Sequence, residues 1–120
     1  MNSEAYYDPQ TDTYDYTPIF DYCSPLLSDS DVSTVTLETS LAGEEAGYSG
    51  YPMFRAPDAL ADSLAGCGID MVNLASNHLL DGGDEGLLRT MDVLTEKKLS
   101  YLGTQSEESQ KTMISSRSMV

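Results

Sequence analysis

The chain has no lysine or arginine before Arg55, one histidine, two cysteines and no long apolar run. Each shortage excludes something. Lys and Arg total 6 against 20 Asp and Glu, giving a net charge of −14. Nucleic-acid affinity comes largely from basic side chains that neutralise phosphates, so this surface repels DNA, RNA and anionic lipid. The imbalance is uneven, because residues 1–54 carry acids only and every base lies in 55–120. An acidic excess of this kind fits a solvated surface or, alternatively, cation binding. Cys23 and Cys67 are too few for a disulfide framework, and their apolar neighbours suit buried free thiols. No run of about 18 apolar residues could cross a membrane, and Met1-Asn2-Ser3-Glu4 does not begin a signal peptide. At 120 residues the chain is at most one domain, and small enough to be part of one.

Residues 1–18 are rich in Tyr, Asp, Thr and Pro without a helical or strand period, which predicts loop or disorder. Ile19–Cys23 with Leu26 and Leu27 predicts a short helix broken by Pro25, and the Ser28–Asp31 cluster a turn. Val32–Glu38 is dense in β-branched residues and predicts a strand. Residues 42–54 mix glycines, aromatics and Pro52, the composition of a long connecting loop. Pro57 followed by Leu60, Leu64 and Cys67 predicts a helix stopped by Gly66 and Gly68. A strand over 69–74 follows. Then comes an amphipathic helix over 85–98, with Leu87, Leu88, Met91 and Leu94 facing the core and Lys97 and Lys98 in its last turn. Leu99–Leu102 predicts a third strand. The order β-α-β-α-β implies a parallel sheet with right-handed crossovers. Two helices cannot cover both faces of such a sheet, so the expectation is an exposed apolar face, open edges and poor solubility.

Chemistry concentrates where the strand 69–74 ends. Asn77, His78 and Asp81 fall within five residues, followed by Gly82 and Gly83. Side chains at the carboxyl end of a strand in an α/β sheet point into the crevice where such folds bind ligands. These residue types also serve metal and phosphoryl chemistry. Read alone, His78 is more often a turn histidine and Glu38 a solvated carboxylate, while Asp81 is equally a turn or cap residue.

Several stretches, taken in order, resemble the CapA family of poly-γ-glutamate biosynthesis proteins. Tyr14–Phe20 is similar to the family's segment after its first strand, and Leu37-Glu38-Thr39-Ser40-Leu41 to its Asn-Leu-Glu-Thr-Pro-Leu motif. Gly50–Pro57 resembles its long loop. Ala75-Ser76-Asn77-His78-Leu79-Leu80-Asp81-Gly82-Gly83 resembles its Ala-Asn-Asn-His-x-x-Asp-x-Gly signature, and Tyr101–Thr104 continues the match. The resemblance covers residues 12–108, leaving 1–11 as a disordered or remnant segment and 109–120 as a truncated or divergent tail. It implies an α/β fold: the β-α-β-α-β portion of a metallophosphatase-like (calcineurin-like) four-layer αββα sandwich, incomplete at both ends. It further implies Glu38 and Asn77 as ligands of a divalent metal ion such as Mn or Zn. His78 would stabilise developing charge, with Asp81 orienting it as the second catalytic residue. The implied role is capsule or cell-envelope polymer synthesis, by a phosphoesterase-like hydrolase or by a non-catalytic assembly subunit. The implied partners are an anionic polymer or its precursor and capsule-synthesis membrane proteins, on the extracytoplasmic side. Thr36 stands where the family has Asn, and Ser76 replaces the first Asn of the signature. The opening Gly-Asp strand and the later Gly-His-x-His segment have no counterpart, so the chain is expected to be an incomplete piece that binds metal poorly.

Overall fold

A computed structural model describes residues 3–104. The readings of 105–108 as domain and of 109–120 as tail lie outside the described residues. In chain order the elements are β1 (Tyr7–Asp8), β2 (Thr13–Tyr14), α1 (Ser24–Asp29), β3 (Thr34–Thr36), α2 (Ala59–Gly66), β4 (Met71–Asn73), α3 (Gly83–Glu96) and β5 (Ser100–Leu102). Short 3-10 turns sit at Ser3–Tyr6, Thr17–Phe20 and Glu44–Ala46.

β3, β4 and β5 form a parallel three-stranded sheet in that order. Sequential order with right-handed crossovers puts α2 and α3 on the same face. Side-chain alternation agrees. The register row Val35, Val72 and Tyr101 faces the helices, with Val72 fully buried among Leu60, Leu64, Met91 and Leu94. The rows Thr34–Met71–Ser100 and Thr36–Asn73–Leu102 face the other way and stay open to varying degrees. The fold is thus mixed α/β, wound on one side only. The bare face is not apolar as expected: Thr34, Thr36, Asn73 and Ser100 outnumber Met71 and Leu102.

α2 begins two residues after Pro57, with Asp58 between them, and turns Leu60, Ala61 and Leu64 into the core. Asp58 makes no cap hydrogen bond. Its carboxylate is taken instead by Arg89 of α3, through Nη1 at 2.7 Å and Nη2 at 2.8 Å. The same Nη1 donates to the Leu41 carbonyl at 2.8 Å. Asp84 and Glu85 occupy the first turn of α3, where they favour the positive end of the helix dipole.

Several sequence readings need correction. Residues 3–14 are not structureless: β1 and β2 pair antiparallel, and Tyr6, Tyr14 and Tyr16 pack with one another or with Tyr7 and Tyr48. Tyr16 is wholly buried, and its N–H donates to Ser63 Oγ on α2 at 3.2 Å. The missing periodicity misled because aromatic anchors, not a repeating face, fasten this hairpin. Pro25 starts α1 within its first turn instead of breaking a helix, since it needs no N–H there. α3 ends at Glu96, and Lys98 lies beyond it at a positive φ of 61°. Lys97 reaches back to Asp62 of α2 at 2.8 Å. Leu88 is 50 % exposed, and Val93 takes the core position. Cys67 is buried but Cys23 is exposed, and both are free thiols.

Candidate functional site

Parallel strands end at one edge of their sheet, so the segments after β3 and β4 emerge side by side. The Leu37 N–H still pairs with the Asn73 carbonyl at 3.0 Å, extending β3 to the residue before Glu38. Beyond β4 the chain tightens into successive turns, with Leu79 N–H donating to Ser76 O and Asp81 N–H to His78 O. Those turns bring His78 Nδ1 to 2.7 Å from Asp81 Oδ2. The same carboxylate oxygen accepts the Phe54 N–H at 2.6 Å, and the Phe54 ring stands edge-on to the imidazole with centroids 4.4 Å apart.

Asp81 is 8 % exposed. Burial pushes its carboxyl up, yet the Phe54 amide, the His78 ring and the Arg55 charge together outweigh that and hold it below the ordinary carboxylate range. An ionised Asp81 assigns the proton of the pair to Nδ1, which donates, and leaves Nε2 as the ring nitrogen offered to a ligand. The glycines after Asp81 answer a packing need. A Cβ on Gly82 would lie 2.9 Å from Ser40 Oγ and 3.0 Å from Ala42 Cβ, so only glycine lets this turn press against the 40–42 segment.

That segment and the 49–56 loop are stitched together. Ser40 N–H and Ser40 Oγ both donate to Phe54 O, at 3.2 and 3.0 Å, and Ala56 N–H donates to Ser40 O at 2.9 Å. Leu41 N–H donates to the buried Thr90 Oγ1 at 2.9 Å. Phe54 therefore joins the segment after Glu38 to the His78–Asp81 pair. Glu38 is exposed and lines a cavity of about 490 Å³ together with Phe54 and Arg55. Asn77, His78 and Asp81 do not line it, and Asn77 stays exposed. The structure thus brings His78 and Asp81 into contact, and places Glu38 in a cavity that Phe54 also lines.

The resemblance implies a divalent metal ion. Such ions need several oxygen or nitrogen donors converging on one point. Among the described residues no group of three His, Cys, Asp or Glu side chains is placed to hold one. His78 Nδ1 and Asp81 Oδ2 are spent on each other. Glu38 and Asn77 by themselves do not make a ligand set, so the described residues do not fit a metal unaided.

The sequence placed Phe54 only in a long connecting loop, and its backbone N–H, which fixes Asp81, was not readable there. Arg55 carried a signal that sequence reading left unused: it is the first base after an acid-only stretch.

The model for the bacterial capsule synthesis protein PGA_cap matches residues 1–119, and the chain belongs to that family. No curated protein matches the chain. No helix among the described residues is long and apolar enough to cross a membrane.

Proposed function

We propose that this capsule synthesis family member acts in making or processing a poly-γ-glutamate-type cell-envelope polymer through a metallophosphatase-like site centred on His78 and Asp81. The observation that supports it best is the 2.7 Å pair, held at the carboxyl edge of the parallel sheet with Nε2 left over. A histidine fixed in this way can give or take a proton at a reacting oxygen or nitrogen, and Asp81 holds the ring in the tautomer that does so. Glu38 and Asn77 are the donors that this reading offers to a divalent ion, but no step of it passes through one. The polymer or its anionic precursor is the proposed substrate. Capsule-synthesis membrane proteins on the extracytoplasmic face are the proposed partners.

The test is hydrolysis of poly-γ-glutamate and of model phosphoesters by the purified full chain, with and without added Mn²⁺ or Zn²⁺. His78→Ala is expected to lower the rate by about 10² or more. Glu38→Ala and Asn77→Ala should act only in the metal-dependent fraction. Rates untouched by all three substitutions would remove these residues from the site.

A second reading, that of a non-catalytic binding or assembly subunit, is favoured by one observation: among the described residues no three His, Cys, Asp or Glu side chains are placed to hold a metal ion. Titration calorimetry with Mn²⁺, Zn²⁺ and Ca²⁺ separates the two. Micromolar binding lost in Glu38→Ala supports the first reading, and no binding supports the second.

A further inference from the structure

β3 closes one side of the three-stranded sheet, and no strand lies beyond it among the described residues. Met71 N–H donates to Ser33 O at 3.2 Å and Leu37 N–H to Asn73 O at 3.0 Å, so the odd-numbered residues of this stretch turn their backbone groups to β4. Those groups alternate along a strand, which leaves the N–H and C=O of Thr34 and Thr36 pointing outward. Both threonines are exposed. The cavity that Glu38 lines follows residues 35–39, with Phe20, Leu60 and Leu64 also in its walls. An unpaired edge beside an apolar slot suits strand addition: main-chain bonds hold the added segment, and alternate side chains enter the slot.

We propose that the occupant is residues 111–117 of this chain, added antiparallel to β3 with Ile114 opposite Val35. Gly103, at a φ of 93°, turns the chain off β5 at the edge of the sheet where β3 also ends. An antiparallel strand can start from that edge without a crossover. The path from β5 to the far side of β3 is three strand spacings, about 14 Å, and residues 105–110 can span about 20 Å. Opposite residues share a face, so Ile114 enters the apolar slot beside Val35. The same register sets Lys111 opposite Glu38 and carries Arg117 to Val32 and Asp31. Residues 111–117 contain no proline, glycine or acid to oppose this pairing. A second copy is the poorer occupant, since it would bring another charge of −14 to an acidic edge.

This docking is independent of the hydrolytic reading, and its test follows backbone protection in place of activity. Amide exchange and cross-strand proton contacts are measured by NMR on the full chain labelled with ¹⁵N and ¹³C. The unaltered chain is expected to show an Hα–Hα contact between Val35 and Ile114. Its Thr34 and Thr36 amides should exchange about tenfold or more slowly than in Ile114→Asp. Val35, whose N–H faces β4, is the control and should keep its protection in that variant. Lys111→Glu should speed exchange at Thr36, and adding Glu38→Lys should slow it again. Absence of the Val35–Ile114 contact in the unaltered chain overturns the proposal, and that observation needs no variant to fold. Equal exchange at Thr34 and Thr36 in the unaltered chain and Ile114→Asp overturns it as well. Protection that appears only as the chain dimerises at higher concentration gives the edge to a second copy, and also overturns it.

Discussion

Two polar clusters fasten the same stretch of chain, residues 38–56, and they differ in what they leave over. The first is built on α3. Arg89 spends its guanidinium on Asp58 and Leu41 O, and Thr90 Oγ1 accepts from Leu41 N–H while donating to Gly86 O at 2.7 Å. The second is built on the turn after β4, where Asp81 accepts from Phe54 N–H and His78 Nδ1. The α3 cluster turns its polar groups on one another and on the backbone, and holds the fold. The other keeps His78 Nε2 uncommitted. Satisfied polar groups rigidify a structure, and groups left open are the ones with something to bind.

Substitutions should pull the two clusters apart. The largest loss of stability is expected from Thr90→Val, which keeps the shape but leaves the Leu41 N–H buried without an acceptor. Urea denaturation should show a loss of about 2 kcal/mol, and an unchanged midpoint would mean that this cluster is not structural. Gly82→Ala forces a Cβ against Ser40 and Ala42, and should cost about 1 kcal/mol while also moving the Asp81 turn. In the open cluster, His78→Ala should cost no more than about 1 kcal/mol and act mainly on function. A loss as large as that of Thr90→Val would erase the distinction.

Acid sharpens the same comparison. Asp81 sits below the ordinary carboxylate value of about 3.9, so its ionised form is favoured by folding. Its contribution is therefore complete above that value and is lost as pH falls through the lower folded-state value. Denaturation midpoints measured from about pH 5 to about pH 2 should fall less steeply in Asp81→Asn than in the unaltered chain. Parallel curves would show that Asp81 is not held as described. The smallest effect concerns the thiols. Burial pushes Cys67 up and keeps it protonated, whereas Cys23 is exposed, so iodoacetamide should label Cys23 alone in the folded chain. Equal labelling would place Cys67 outside the core.

Much of this was legible in the sequence, for reasons that differ by element. α2, α3 and the three core strands announce themselves through Leu60 and Leu64, Met91 and Leu94, and the β-branched run at 32–38. Their faces repeat at the period of the element they form. The Asn77–Asp81 turn was legible through its residue types and the glycines behind it. The N-terminal hairpin was not, because Tyr16 is held by a partner on α2 that lies 47 residues away. Leu88 and Val93 exchanged places for a related reason, since which edge of an amphipathic stripe is buried depends on what packs against it.

The sequence by itself determined the α/β order, the acidic surface and the crowding of Asn, His and Asp at one strand end. These follow from local periodicity, composition and chain proximity, which need no knowledge of the rest of the molecule. Only the tertiary structure decided that Phe54 would lend its N–H to Asp81, and that Glu38 would share a cavity with Phe54 and Arg55. Those pairings join residues 16 to 27 positions apart, and a chain's sequence does not state which of its distant backbone groups will meet until the core has closed around them.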